Sequence, residues 1–157
     1  MNIKLLAIGK TDNKNLQSLI DEYTKRLGFY VKFDLEIIPD IKNVKNLSEA
    51  QQKEKEGELI LSKLIPTDQL ILLDENGKEF SSVGFSEFLQ KKMNAGIKTL
   101  VFVIGGPYGF SEGVYKAAQG KVSLSQMTFS HQMVRLFVIE QIYRSFTILR
   151  NEPYHHQ

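Results

Sequence analysis

The sequence predicts a single α/β domain, three layers deep, with a mainly parallel sheet. Three observations carry that expectation. Short apolar or alternating segments take turns with helical patterns along 157 residues, the order that builds strand–helix–strand units. The stretch Thr99–Ile104, TLVFVI, is apolar almost throughout, as a central parallel strand covered on both faces must be. No repeat, low-complexity run or linker interrupts the chain, so residues 1–157 are expected to share one core.

The elements follow in order. Ile3–Ile8 is a short apolar strand ending at Gly9. Leu16, Leu19, Ile20, Tyr23 and Leu27 recur at helical spacing, with Gly28 as the stop. Val31–Ile38 alternates, is rich in β-branched residues and closes at Pro39, so it reads as a second strand. Ser48 and Gln51 form a capping-box pattern ahead of a charged helix with Leu59, Ile60 and Leu64 inward and Pro66 beyond its end. Gln69–Leu73 is a third strand, leaving through Asp74-Glu75-Asn76-Gly77, where Asn-Gly favours a tight turn. Ser82–Asn94 is a helix facing inward through Phe85, Phe88, Leu89 and Met93, stopped by Gly96. After Thr99–Ile104 come a short helix over 111–119, a short strand over 121–124 and a long last helix from about His131 to Arg150. That helix carries Met133, Leu136, Phe137, Ile139, Ile142, Tyr143 and Phe146 around too much of its circumference for one core-facing stripe, which points to a second copy.

Composition excludes several classes. With 42% hydrophobic and 24% charged residues and four prolines, the chain is globular in character. It has no cysteine, so disulfides and thiolate metal sites are ruled out. The opening MNIKLLAIGK lacks the basic region and cleavage site of a signal peptide, and no stretch reaches the roughly 20 apolar residues of a membrane span, so the expected location is the cytoplasm without a membrane partner. No His/Asp/Glu cluster has ligand spacing, and no metal is expected. Net charge is only +2, but between Gly113 and Arg150 a single acid, Glu140, stands against Lys116, Lys121, Arg135, Arg144 and Arg150. Such a segment suits an anionic partner such as RNA, or is simply a solvated face.

Three segments can carry chemistry. VFVIGGPYGF runs a strand straight into a glycine turn at the carboxyl edge of the sheet, where open α/β proteins bind ligands. Adjacent Gly105 and Gly106 do not make the dinucleotide fingerprint, and no Gly-Lys-Ser/Thr follows, so both standard nucleotide readings are weak. The turn is either a plain tight turn or a close approach to another kind of ligand. VSLSQMTFSHQMVR is either an ordinary strand-to-helix connection, capped by Ser130 or Thr128, or a loop whose backbone reads a flat heterocycle packed by Leu124 and Met127. The tail, NEPYHHQ, is either a frayed end or a source of a phenol and an imidazole, Tyr154 and His155, able to stack on a base or move a proton.

Taken together, VFVIGGPYGF, LSQMTFSHQMVR, IEQIYRSF and EPYHH resemble the bacterial RlmH family of SPOUT-class RNA methyltransferases, and IKLLAIGK, EYTKRL, KEGELIL and LDENGK extend the resemblance over the whole chain. Members of that family N3-methylate a pseudouridine in the helix 69 loop of large-subunit ribosomal RNA. The resemblance implies a C-terminal trefoil knot, a rare exception to the rule against threaded chains. It also implies S-adenosylmethionine as methyl donor, bound bent in the knot, and a homodimer with each site near the subunit interface. The donor contacts would be Leu73, Gly105 and Gly106, with Leu124, Ser125, Gln126, Met127, Thr128 and Phe129 as the third contact segment. Catalytic and substrate roles would fall on Arg144, Tyr154 and His155. Where the family pattern has Lys or Arg after that histidine this chain has His156, which removes a permanent charge from the RNA-facing tail.

The resemblance implies an enzyme that positions and deprotonates a pseudouridine in assembled ribosomes, with the tail ordering only on substrate or on a second subunit. Two alternatives lie outside that reading. One is a non-catalytic ribosome- or RNA-binding factor on the same fold. The other is a SPOUT methyltransferase acting on a different RNA such as tRNA.

Overall fold

The computed structural model describes residues 1–156, and its element order is β1 (Asn2–Ile8), α1 (Lys14–Leu27), β2 (Phe33–Ile38), a single 3-10 turn (Val44–Asn46), α2 (Glu49–Ser62), β3 (Asp68–Glu79), α3 (Ser82–Asn94), β4 (Thr99–Ile104), α4 (Glu112–Ala117), β5 (Gly120–Ser123) and α5 (Met133–Leu149). The strands form one five-stranded sheet in the order β2-β1-β4-β3-β5, and every pair is parallel. Parallel neighbours need crossovers, and the helices supply them.

Strand alternation divides the core. Ile3, Leu5, Ala7, Ile71, Leu100, Phe102 and Ile104 face one side, against α1, α3 and α5 through Ile20, Leu27, Phe85, Leu89, Val138, Ile139, Ile142 and Phe146. Leu6, Leu70, Leu72, Val101 and Val103 face the other, against Ile60 of α2, Phe110, and Val114 of α4. The three-layer expectation therefore holds, and β4 sits at the centre, buried on both faces. This two-sided burial is why its sequence is unbroken by polar residues.

The helix boundaries follow their caps. Asn13 Oδ1 accepts from the amides of Asn15 and Leu16 at the start of α1. The capping box at Ser48 forms in both directions, Ser48 Oγ accepting from Gln51 N and Gln51 Oε1 from Ser48 N. Ser81 and Ser111 cap α3 and α4. Gly96, at φ +74°, ends the α3 turn as expected.

Several expectations are corrected. Leu19 and Leu59 point outward, because the inner stripes run through Ile20 and Leu27 in α1 and through Glu56, Gly57 and Ile60 in α2. Asn76-Gly77 makes no tight turn. β3 continues to Glu79 and pairs with β5 again beyond a bulge, with Leu73 and Lys78 both opposite Val122. A Cβ at Gly77 would lie 2.6 Å from the Val122 carbonyl carbon, so that glycine serves strand contact and not a hairpin. Ser130 does not act as a side-chain cap in full. Its carbonyl accepts from Val134 N at 2.9 Å, its hydroxyl lies 3.5 Å from Met133 N, and α5 begins after Gln132.

The tail is also different from a frayed end, and it docks without a second subunit. Glu152 N donates to the Thr147 carbonyl at 2.9 Å, and the Tyr30 hydroxyl donates to the Glu152 carboxylate. Tyr154 packs edge-on against Tyr143 with ring centroids 4.8 Å apart. The last residue, 157, lies outside the described residues. Among the described residues no helix is long and apolar enough to cross a membrane.

Candidate functional site

A cavity of about 460 Å³ opens where β3, β4 and β5 end. Leu73, Ile104 and Val122, aligned across the three strands, form its floor. Its walls come from three loops, each shaped by local chemistry.

The first is the β3 bulge. Asp74 Oδ1 accepts from Asn76 N at 2.8 Å, which folds the chain outward and sets Asp74, Glu75 and Asn76 at the rim. The Tyr115 hydroxyl donates to Asp74, and burial first, then that bond, pushes the Tyr115 phenol up to about 12.

The second is the glycine turn. Gly109 N donates to the Gly106 carbonyl at 3.1 Å, closing a β-turn over Pro107 and Tyr108, with Gly109 at φ +78°. Gly105 and Gly106 serve a different need. A Cβ on Gly105 would lie 3.1 Å from the Phe110 ring, and one on Gly106 only 2.1 Å from Glu56 Oε2. The close approach is thus to the protein's own side chains beneath the turn, while the upper side of both glycines lines the cavity. Glu56 is 3% exposed, held by Gln52 Nε2 at 3.0 Å, and its Oε2 has no hydrogen-bond partner among the described residues.

The third loop, 123–130, is fastened by its own serines. Ser123 Oγ donates to the Ser125 carbonyl and Ser125 Oγ accepts from Met127 N, both at 3.0 Å. Leu124, Ser125, Met127, Thr128 and Phe129 all line the cavity, Met127 with 76% of its surface exposed. Gln126 does not; it is exposed and lies outside the lining, a departure from the expected contact set.

The charge of this cavity is its most informative property. Two carboxylates, Asp74 and Glu75, stand at it, and no Lys or Arg is among the residues that line it. Such a site repels phosphate and suits a cationic ligand with a flat apolar body. Among the described residues no group of His, Asp and Glu could hold a metal ion.

Arg144, Tyr154 and His155 come together elsewhere. Glu140 Oε1 accepts from Arg144 Nη2 at 2.7 Å, Arg144 Nε at 3.1 Å and the Tyr154 hydroxyl at 2.9 Å. The Tyr23 hydroxyl lies 3.2 Å from that of Tyr154, and the Arg144 guanidinium lies 4.7 Å from the centre of the Tyr154 ring. Burial, then the bonds to Tyr23 and Glu140, raise the Tyr154 phenol far above its ordinary range. Arg144 Nη1 approaches His155 Nδ1 at 3.3 Å. A guanidinium can only donate, so Nδ1 accepts and the ring proton sits on Nε2.

None of these three residues lines the cavity. Val134, in the first turn of the continuous helix α5, does line it, and Arg144 stands ten residues further along, about 15 Å at 1.5 Å per residue. One chain therefore holds the cavity and the Arg144 cluster as two separate places.

The sequence matches the family described as "Predicted SPOUT methyltransferase" over residues 1–155. It is 87% identical to the ribosomal RNA large subunit methyltransferase H of Flavobacterium johnsoniae and 85% identical to that of Flavobacterium psychrophilum, over the full length of each chain. The protein of the same name from Bacteroides thetaiotaomicron is 54% identical, again end to end. The chain belongs to the RlmH family of SPOUT methyltransferases.

Two residues escaped sequence reasoning. Glu140 organises the whole Arg144 cluster, and its only sequence signal is being the lone acid of the basic segment. Arg135, 1% exposed, ties α5 to the end of β1 by donating to the Ile8 carbonyl at 2.7 Å and Thr11 Oγ1 at 2.9 Å. Burial lowers its guanidinium from the ordinary value, with Asp40 and Asp12 opposing that fall. It was counted as part of an RNA-facing charge, and it is a structural clamp instead.

Proposed function

We propose that the protein transfers a methyl group from S-adenosylmethionine to N3 of a pseudouridine in the helix 69 loop of large-subunit ribosomal RNA, in the assembled ribosome and as a homodimer. The observation that carries the donor half is the cavity at the carboxyl ends of β3, β4 and β5, lined by Asp74 and Glu75 and by no Lys or Arg, with His131 its one basic residue. Its floor and loops fit a nucleoside, and its carboxylates fit a sulfonium and an ammonium. The ribosomal target rests on the printed names of full-length relatives. A non-catalytic RNA-binding factor would have no use for such a cavity. The reading includes the trefoil knot. What supports it is the path of the chain, which places β5 outside β3 and then returns as α5 to the face between α1 and α3.

When bound, S-adenosylmethionine supplies a methyl group already activated by its sulfonium charge. Leu73, Gly105, Gly106 and the backbone of 124–129 would hold its nucleoside, with Gln126 the weakest member of that set because it is not among the residues that line the cavity. The chain must then orient the base and remove the N3 proton. Tyr154 stays a neutral hydroxyl at physiological pH, so it stacks on or donates to the base and is not the proton acceptor. His155 takes the proton at Nδ1, and only after Arg144 has let go of that nitrogen. An Arg144 drawn to an RNA phosphate or to the developing uridinate oxygen leaves Nδ1 free at the moment the base arrives. In this reading the cluster of one subunit serves the cavity of its partner, and the distance along α5 supports that arrangement.

The deciding experiment is mass spectrometry of ribosomal RNA nucleosides from a strain lacking the protein, together with calorimetric titration of the purified chain with S-adenosylmethionine. The expected result is loss of one N3-methylpseudouridine and saturable donor binding. An unchanged nucleoside profile refutes the target, and methylation of tRNA in its place would reassign the substrate.

A further inference from the structure

A second groove, of about 450 Å³, runs between α3 and the edge strand β5. Lys78, Lys91, Lys92 and Lys121 line it, and Glu87 is the one acid among its lining residues. These lysines come from three elements, the far end of β3, the last turn of α3, and β5, so they are not one solvated helix face. None of the four is in an ion pair among the described residues. Three of them rest instead on aromatic rings. Lys78 Nζ lies 4.9 Å from the centre of Phe80, Lys92 Nζ 5.4 Å from Phe88, and Lys121 Nζ 5.6 Å from Tyr115. Lys92 also donates to Gln69 Oε1 at 2.8 Å.

Four lysines against the single acid Glu87 leave a net positive groove whose like charges repel each other, and a polyanion relieves that cost. A lone Lys121 would be accounted for as a guard against strand addition at the sheet edge. That purpose does not explain why Lys78, Lys91 and Lys92 meet it from other elements. Phe80 and Phe88 are half-buried in the lining and offer ring surface between the charges, the pairing that single-stranded nucleic acid uses. Val122 lines both this groove and the acidic cavity. β5 is four residues long, about 13 Å, so a strand lying in the groove passes one short strand's length from the donor site.

We propose that this groove binds the ribose-phosphate backbone of the RNA segment that presents the target base. The proposal rests on the reading of the protein as a ribosomal RNA methyltransferase. It adds a surface remote from Arg144 and the tail, and it explains how a chain with an acidic donor cavity holds a polyanion beside it.

The test uses the full-length triple variant Lys91→Ala/Lys92→Ala/Lys121→Ala and a matching triple Lys→Arg variant, all at surface positions outside the catalytic cluster. Binding to a ribosomal RNA fragment carrying the target loop is measured across a salt series, with S-adenosylmethionine titration and ribosome methylation alongside. Donor affinity should stay at the wild-type value in both variants. The alanine variant should raise KM for RNA at least 10-fold with kcat kept, and its log K against log salt slope should flatten by about 2 to 3. The arginine variant should restore both. Wild-type KM and slope in the alanine variant overturn the groove while leaving the enzyme reading intact. A fall in ribosome methylation with unchanged fragment binding also overturns it, in favour of a protein surface on the ribosome. A wild-type protein that neither binds nor methylates ribosomal RNA removes the functional reading and this inference with it.

Discussion

Replacing Glu140 by Gln keeps the shape of the side chain and removes its charge, so it isolates what the carboxylate does for the tail. One oxygen, Oε1, takes three donors, two from Arg144 and one from Tyr154, while Oε2 takes the Gln141 amide at 2.8 Å. A hydrogen bond to a charged group contributes about 1.5–3 kcal/mol and a neutral one about 0.5–1.5, so each of the three weakens by about 1 kcal/mol. Arg144 and Glu140 keep 25% and 18% of their side-chain surface, so solvent screens part of this, and a total near 2 kcal/mol is expected. For a chain of this size that lowers the melting temperature by about 4–8 °C. Function should split. Arg144, no longer neutralised, should bind RNA as tightly as before or more so, while methyl transfer falls at least 10-fold because Tyr154 and His155 lose their fixed positions. The assay is thermal unfolding by circular dichroism, RNA binding by filter retention and single-turnover methylation, with Tyr154→Phe as the second arm of a double-mutant cycle. A melting shift under 1 °C with unchanged turnover would refute the reasoning, since Glu140 would then be an ordinary solvated ion-pair partner.

Deleting residues 152–157 should lower stability by about 2–4 kcal/mol, because it removes the Glu152–Tyr30 bond, the Tyr154 bonds to Glu140 and Tyr23 and the packing on Tyr143; an unchanged melting temperature would mean the docked tail contributes nothing in solution. Of the six tyrosines, Tyr30 and Tyr115 should ionise only near pH 12 and Tyr154 later still, which absorbance at 295 nm reads directly. Their folded pKa values are raised, so the stability they lend is whole below the ordinary phenol value near 10 and declines as pH rises towards 12; Tyr30→Phe should lose its share of that decline, and a chain whose stability is flat from pH 9 to 12 contradicts the prediction. Gly106→Ala should weaken S-adenosylmethionine binding at least 10-fold by driving the turn off the Glu56 carboxylate, and Glu56→Ala in the same chain should recover part of the loss. No recovery would mean that the added methyl group meets the ligand itself.

Most of the fold was legible because it is written in periodicity. A strand buried on both faces cannot tolerate polar residues, and helices carry their caps in the residues themselves, as Ser48, Ser81 and Ser111 show. The misreadings share one cause, which is that tertiary contact overrode a local signal. Asn76-Gly77 has hairpin chemistry, yet β5 offers β3 a second run of ladder, and the pair becomes part of a bulge. Glu56 and Arg135 look like surface charges, but each is buried by elements far away in sequence. The glycines at 105 and 106 line the cavity, but only the fold reveals Glu56 and Phe110 beneath them. Glu140 was visible as an isolated acid, but its role depends on a tail fourteen residues later folding back onto it.

The distribution of charge fits the proposed division between the cavity and the Arg144 cluster. On that proposal a cation beside the cavity would compete with the sulfonium for Asp74 and Glu75, and an RNA phosphate drawn into it would meet those carboxylates at a cost. Arg144 stands about 15 Å along α5, where Glu140 holds its charge. α5 is one continuous helix packed on α1 and α3, and it has no break that would let its two ends approach each other. Rigid α5 fixes the spacing between Arg144 and the cavity, and His155 follows in the tail docked beyond Leu149. In the proposed dimer a partner's α5 and tail would supply what that rigid spacing withholds, and Met133 and Phe137, exposed on the first half of α5, offer the apolar surface for it. In that proposed dimer the same separation would keep an always-charged guanidinium away from a cationic donor.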